Sequence, residues 1–126
     1  MKERYLAIFA ALSGASAVAI GAFAAHGLKA VLTDNLMNVM QTAVQYQFYH
    51  TLALSLVCVL LQTQMSRWLI ASGRLFALGI GLFSGSLYLF TFSGIHWLGF
   101  LTPLGGLAFI MGWLLLAMHF FKRDTV

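Results

Sequence analysis

The segment TAVQYQFYHTLALSLVCVLL, from Thr42 to Leu61, decides the fold because it joins a polar half to an apolar half within one helical length. Residues 51–61 are apolar apart from Thr51 and Ser55, and about 20 helical residues are enough to cross a hydrocarbon core. Residues 42–50 contain two glutamines, two tyrosines, a threonine and a histidine. We therefore predict a membrane helix that carries its polar side chains near one end.

The whole chain has the composition of a membrane protein. Of its 126 residues, 61% are hydrophobic and only 8% are charged, whereas about a quarter of the residues in soluble domains are charged. The net charge of +4 comes from few basic residues, which flank apolar runs instead of forming a nucleic-acid patch. We therefore expect membrane lipid and no nucleic acid as partner, and the short chain leaves no room for a separate soluble catalytic domain.

The apolar runs predict an all-α protein, a bundle of four transmembrane helices that forms a single integral membrane domain over residues 1–126. The predicted spans are residues 5–25, 43–61, 75–94 and 103–121. Basic residues precede the first span, join the second to the third and follow the fourth, so the positive-inside rule predicts both termini in the cytoplasm. The first apolar run exceeds the length of a signal-peptide core, and we expect it to stay uncleaved.

The start of the second helix can be predicted from its capping residues. Thr33 or Asp34 can cap it, since apolar residues recur at helical spacing from Leu36 onward. A helix from Asp34 to Leu61 would be about 42 Å long, which exceeds the hydrocarbon thickness. Its first two turns should therefore project from the membrane or lie along its surface.

The fourth helix also carries a start signal. Thr102 followed by Pro103 is typical of an N-cap and a first helical position, where a missing N–H costs nothing. Gly105 and Gly106 follow, and they indicate close approach of another backbone or group. The N–H groups of this helix start could receive an anionic or carbonyl group.

Polar or glycine-rich features of all four spans fall in one layer, the outer half of the bilayer, when both termini are cytoplasmic. Lipid cannot satisfy hydrogen-bonding side chains, so these residues should face one another, water or a ligand. The predicted ligand-binding residues are His26, Thr42, Gln45, Tyr46, Tyr49, His50, Ser84, Tyr88, Thr102, Pro103, Gly105 and Gly106.

The polar residues of the second helix fall on two sides. Gln47 and Phe48 point away from the main polar face, and Gln47 is expected to reach another neighbour or a second protomer. His50 can pair with Tyr46 one turn earlier. Members of the main face, linked by steps of three and four, are Thr42, Gln45, Tyr46, Tyr49 and His50. Three interpretations stay open for this cluster: a hydrogen-bond network that fixes packing, a cavity for a ligand, lipid head group or ion, and an oligomer interface.

Enzyme chemistry has little support in the sequence. His50 could act as a base and Ser84 or Ser86 could supply a hydroxyl, but no acid lies within a span to orient the histidine. Cys58 is the single cysteine, and the histidine spacing matches no known metal motif, so no catalytic residues, metal site or cofactor are predicted. His96 and His119 are expected at the membrane interfaces.

Small residues predict the contact faces of two helices. Gly14 and Gly21 line a face of the first span, and Gly81 and Gly85 form a GxxxG pair on the third. Small residues let helices approach closely, either inside one bundle or between protomers. We favour internal packing.

The polar and glycine motifs also carry a family resemblance. Four stretches of the chain together resemble the YgdD-like family of small bacterial inner-membrane proteins, a domain of unknown function with small eukaryotic transmembrane relatives. The stretches are GAFAAHGLK (21–29), TAVQYQFYHTLAL (42–54), FSGSLYLF (83–90) and TPLGGLAFIMGW (102–113). The resemblance implies a multi-pass protein of the bacterial inner membrane and implies no established activity. One departure is Ala24, where the family pattern suggests glycine, and it bears on how closely another helix approaches the end of the first.

Two functions from different classes follow as hypotheses. The first is a small inner-membrane protein that binds a lipid or a small molecule, or assists transport, through the outer-half polar cluster. The alternative is a structural or accessory subunit that acts by helix–helix contacts in a homo-oligomer or a larger membrane complex.

Overall fold

The computed structural model describes residues 2–123, with Arg123 in backbone only, and these residues form five α-helices joined by short segments. A π-helical turn, Ile80–Ser84, links the third and fourth helices, and a 3-10 helix, His96–Phe100, leads into the fifth. Met1 and residues 124–126, which the predicted domain includes, lie outside the described residues. The helices are α1 Arg4–His26, α2 Asp34–Leu61, α3 Arg67–Gly79, α4 Gly85–Ser93 and α5 Leu101–Arg123.

Four helical stretches are long and apolar enough to cross a membrane, which confirms the predicted four-span, all-α fold. They are Arg4–His26, Asp34–Leu61, Arg67–Ser93 and His96–Lys122. The third stretch begins at Arg67, well before the predicted residue 75, because Ser66 caps it. The Ser66 hydroxyl accepts from the N–H groups of Trp68 at 3.2 Å and Leu69 at 3.4 Å.

The predicted start of α2 is confirmed. Thr33 is its N-cap, and the Thr33 hydroxyl accepts from the Leu36 N–H at 3.2 Å. With 28 residues, α2 is about 42 Å long, so it exceeds a hydrocarbon core of about 30 Å.

The predicted start of α5 is wrong. The helix begins at Leu101, directly after the 3-10 helix, and Thr102 is not its cap. The Thr102 hydroxyl lies 2.6 Å from the Ser86 hydroxyl instead.

Close packing between the third span and α5 rests on glycines at positions other than the predicted GxxxG pair. A Cβ at Gly105 would lie 2.7 Å from Phe83 Cα, which confirms the close approach expected there. At Gly81 and Gly85, by contrast, a Cβ would meet no described atom within 4 Å, so the expected internal packing of this pair is wrong. The π-helical turn supplies the reason, because Gly79 and Ser84, five residues apart, both face inward and leave Gly81 on the outside.

The contact between α1 and α2 follows the prediction. A Cβ at Gly14 would lie 3.7 Å from Thr51, and one at Gly21 would lie 3.3 Å from Val44. The main apolar core, which includes Leu54, lies in the half of the bundle nearer Ser66. We call that half the Ser66 end, and we call the half that holds the loops at residues 27–33 and 94–100 the Thr102 end.

Candidate functional site

Gln47 is the centre of a buried hydrogen-bond network between α1, α2 and α4. Its amide nitrogen donates to Ser13 O at 3.0 Å and to Ser16 Oγ at 2.9 Å, and its amide oxygen accepts from Tyr88 OH at 2.6 Å. The side chain is 4% exposed. Gln47 therefore turns away from the main polar face, as expected, and the neighbours that it reaches are other helices of its own chain.

Two hydroxyls complete the network. Ser13 Oγ and Thr51 Oγ1 lie 2.7 Å apart, and both residues are buried where Gly14 lets the two helices approach. Among the described residues, every buried side-chain nitrogen and oxygen has a hydrogen-bond partner. Because its groups are paired with one another, the geometry of this interior network is that of a packing device.

His50 packs between α2, α3 and α5 and has both ring nitrogens engaged. Nδ1 lies 2.8 Å from Tyr46 O, and the Trp113 indole N–H donates to Nε2 at 3.1 Å. A carbonyl only accepts and an indole N–H only donates, so the network assigns the proton to Nδ1. The ring stacks on Phe109 with centroids 3.5 Å apart and planes within 8°. The expected pairing with Tyr46 therefore exists through the backbone, and His50 has no nitrogen left for a ligand.

Serine hydroxyls link the remaining helices in the same way. Ser84 donates to Ala43 O at 2.7 Å, which ties the π-helical turn to α2. Ser72 donates to Gly112 O, also at 2.7 Å, and ties α3 to α5. These bonds use the hydroxyl protons, so Ser84, a predicted ligand-binding residue, serves the packing of the bundle.

The Ser66 end contains a buried histidine that was expected at the membrane interface. His119 is 5% exposed, and its ring nitrogens lie 3.0 Å from Ser66 Oγ and 2.9 Å from Gln64 Oε1. His119 is buried because Gln64 and Ser66, in the loop at residues 62–66, lie against the end of α5. Its placement at the membrane interface stays a prediction. His96 and His26 are exposed.

The outer side of α2 contrasts with its interior side. Toward the Thr102 end it carries polar and tyrosine side chains, whereas exposed residues nearer Leu61 are apolar, such as Leu52 and Val59. Within residues 2–123, none of the amide or hydroxyl groups of this outer face has a hydrogen-bond partner. Its members are Asn35, Asn38, Gln41, Thr42, Gln45, Tyr46 and Tyr49.

A groove runs between this face and α1. It has a volume of about 390 Å³, and the small residues Gly21, Ala24 and Ala25 of α1 form one wall. Gln41 and Gln45, one helical turn apart, contribute exposed amides to the other wall. The complete lining is Gly21, Ala24, Ala25, Met37, Gln41, Val44 and Gln45, and we call it the α1–α2 groove. Asn35, Asn38 and Thr42 line a separate cavity of about 190 Å³ with Val39 and Leu87.

The sequence comparisons assign a family to this chain. A known family profile matches residues 20–106, which include every residue of the α1–α2 groove. The chain belongs to that family, described as "Protein of unknown function (DUF423)". This confirms the resemblance seen in the sequence.

Curated relatives of this DUF423 chain match along most of its length. The inner membrane protein YgdD of Escherichia coli K12 is 43% identical over 116 residues, which cover 92% of this chain and 88% of YgdD. The membrane protein SH2409 of Staphylococcus haemolyticus is 44% identical over 117 residues, covering 91% of this chain and 93% of the relative. The membrane protein YwdK of Bacillus subtilis is 41% identical over 112 residues, covering 88% of this chain and 91% of the relative. No solved structure matches the chain significantly.

The family and the helices together confirm the predicted localisation, a multi-pass protein of the bacterial inner membrane. The predicted ligand-binding residues of this DUF423 chain do not form one cluster. His50, Ser84 and Gly105 are buried, Tyr88 and Thr102 are half-buried within hydrogen bonds, and Gly106 is half-buried beside Phe83. On the outside lie His26, Thr42, Gln45, Tyr46, Tyr49 and Pro103, of which Thr42 is half-buried.

The split has a physical cause. α2 packs against its neighbours with one side only. Residues linked by steps of three and four therefore do not all lie on that side: His50 is buried, whereas Gln45 is exposed. Sequence reasoning missed Ser13, Ser16 and Trp113, which bond to Gln47 or His50, and Gln41 of the groove. Ser13 and Ser16, three residues apart on an apolar helix, were a readable signal for a polar face. Among the described residues, no group of three histidine, cysteine or acidic side chains could hold a metal ion.

Proposed function

We propose that the protein binds a membrane lipid or another amphiphilic small molecule in the α1–α2 groove. The observation that carries this proposal is the pair of amides, Gln41 and Gln45, which have no hydrogen-bond partner in residues 2–123 and flank a groove of about 390 Å³. Ligand pockets of about 300–1,000 Å³ with a few placed polar groups are typical of small-molecule sites. The geometry supports this site better than the interior cluster, whose polar groups are already paired.

The depth of the groove fits an amphiphilic ligand. Gln45 lies 16 residues from Leu61, or about 24 Å along α2, so with Leu61 at one edge of a core of about 30 Å it lies about 6 Å inside the other edge. At that level lipid tails offer no hydrogen bonds to an amide, whereas ester carbonyls and head-group oxygens do. Met37, Val44 and Ala24 would contact the apolar part of the ligand.

We also propose that both termini face the cytoplasm, because basic residues cluster at the Ser66 end. The α1–α2 groove then lies in the outer leaflet. A protein that holds a ligand in this leaflet could present it to a transporter, and this is the form of assistance to transport that the groove supports.

Native mass spectrometry of protein released gently from its own membrane tests the proposal. We expect a discrete adduct on the wild type that is lost when Gln41→Leu and Gln45→Leu are combined. Asn38→Leu is the matched control, because Asn38 is an exposed amide on the same face of α2 but does not line the groove. An adduct that persists in the double variant, or bare wild-type protein, would contradict the proposal.

A second candidate function, a subunit of a homo-oligomer or a larger membrane complex, is favoured by one observation. Gly81 and Gly85 leave room for a Cβ on the outside of the third span, where the helix of another protein could approach closely. In that case Gly81→Leu or Gly85→Leu should disrupt co-purification in mild detergent. Finding a monomer alone in several mild detergents and in nanodiscs would count against it.

A further inference from the structure

A basic groove lies on α3 at the Ser66 end, away from the α1–α2 groove. It has a volume of about 500 Å³, with Arg67 at one end and Arg74 toward the other. Ile70, Ala71 and Leu75 line the space between and beside them. Positions three, four and seven residues apart share one helical face, so the two cations and the apolar floor form one surface.

Arg74 is held in place and still has donors to offer. Its Nε–H donates to Tyr5 OH at 2.7 Å, and its Nη2 lies 3.6 Å from a Glu3 carboxylate oxygen. A guanidinium has five N–H groups, so three remain after both contacts are counted. The Arg74 side chain is 62% exposed, which leaves those donors accessible.

Arg67 is likewise held by a contact that leaves its N–H donors available. Its guanidinium carbon lies 5.0 Å from the centroid of the Trp68 ring, which is a cation–π contact. Within residues 2–123 no carboxylate pairs with Arg67. Among residues 2–123, Glu3 is therefore the one carboxylate paired with an arginine of this groove, and the exposed Lys2 and Arg4 flank Glu3 in the chain.

We propose that this basic groove binds a phospholipid with an anionic head group. Arg67 and Arg74 would contact phosphate oxygens, for which the planar guanidinium is well suited. The acyl region would lie on Ile70, Ala71 and Leu75. Basic surfaces at the ends of membrane helices attract anionic head groups, and the apolar floor favours a lipid over a free anion. The proposal is independent of the α1–α2 groove.

The test compares two lipids that differ in head-group charge. Purified protein is loaded with equal amounts of phosphatidylglycerol and phosphatidylcholine that carry the same acyl chains, and the ratio of bound lipids is measured by native mass spectrometry. We expect the wild type to prefer phosphatidylglycerol, and Arg67→Gln and Arg74→Gln each to reduce the preference about fivefold. Lys29→Gln removes the same charge from an exposed site at the Thr102 end and should leave the preference unchanged.

A second variant separates head-group binding from folding. Glu3→Gln loses the contact with Arg74 but keeps both arginines, so we expect the preference for phosphatidylglycerol to persist or rise. Equal binding of both lipids by the wild type, or a loss in Lys29→Gln as large as in Arg67→Gln, would overturn the proposal. Displacement of the lipid by millimolar inorganic phosphate would also overturn it and indicate a free-anion site.

Discussion

Gln47 and Gln45 are two residues apart on the same helix and have opposite environments. Gln47 is 4% exposed and bonded to Ser13, Ser16 and Tyr88, whereas Gln45 is exposed and has no hydrogen-bond partner in residues 2–123. The comparison shows that a polar residue in a membrane helix can serve packing or can remain available for a ligand. Which of the two applies depends on whether a neighbouring helix covers that side of α2.

The same contrast recurs for other residue types. Gly105 lies against the Phe83 backbone, whereas a Cβ at Gly81 would meet no described atom within 4 Å. Trp113, itself 45% exposed, donates to His50, whereas Trp97, 59% exposed, donates to no residue in 2–123. Each pair compares a residue that contacts the interior of the bundle with a residue of the same type that does not, so substituting both members tests whether those interior contacts stabilise the fold.

The largest effect is expected for the glycine pair. Gly105→Leu should destabilise the bundle by about 3 kcal/mol, because its side chain must displace the Phe83 backbone. Gly81→Leu should change the stability of the monomer by less than about 0.5 kcal/mol. Reversible unfolding by SDS titration in mixed micelles measures both. A Gly105→Leu protein as stable as the wild type would show that α5 does not pack closely on the π-helical turn.

The glutamine pair should give the next largest difference. Gln47→Leu should cost about 2 kcal/mol of stability, because it removes the partner of the half-buried Tyr88 hydroxyl and the bonds to Ser13 and Ser16. Gln45→Leu should cost less than about 0.5 kcal/mol. The same SDS titration measures the free energy of unfolding of both variants. Equal losses would contradict the assignment of Gln47 to the interior side of α2 and Gln45 to its outer side.

The tryptophan pair tests the His50 contact. Trp113→Phe should cost about 1.5 kcal/mol, since it leaves the Nε2 atom of a buried histidine without a donor. Trp97→Phe, at an exposed site, is the matched control and should change the unfolding midpoint little. Nitrogen-15 NMR of labelled histidine should show the His50 proton on Nδ1 in the wild type. A proton found on Nε2 would contradict the hydrogen bond from Trp113.

The smallest effect is expected for the tyrosine pair. Tyr88→Phe should cost about 1 kcal/mol, because it removes one donor to Gln47 while the other bonds of the network persist. Tyr49→Phe removes a hydroxyl that is unpartnered in residues 2–123 and should leave stability unchanged. Combining Tyr88→Phe with Gln47→Leu sharpens the comparison: the two losses should not add, since both variants remove the same bond.

Much of the fold could be predicted from particular residues. The length of the apolar runs predicted the four spans, and Thr33 predicted the start of α2, because span length and capping are local properties of the chain. The start of α5 was harder to predict. Thr102 has the chemistry of a cap, but its hydroxyl bonds to Ser86, which is 16 residues away in the chain.

The candidate site could be predicted only in part. The sequence correctly indicated that residues 42–50 carry the polar groups of the second span, and it predicted Gln45 as available for a ligand. It could not identify Ser13 as a partner of Gln47 or Trp113 as a partner of His50, since these partners lie on the first and last helices. Nor could it predict the effect of the π-helical turn, which exposes Gly81.

By itself, the sequence determined that this is a four-span membrane protein of the DUF423 family, because hydropathy, span length and motif order are properties of the linear chain. The tertiary structure alone decided which polar residues are bonded inside the bundle and which line the α1–α2 groove. The physical reason is that a hydrogen bond between helices depends on distances between residues tens of positions apart, and those distances exist only after the helices have packed.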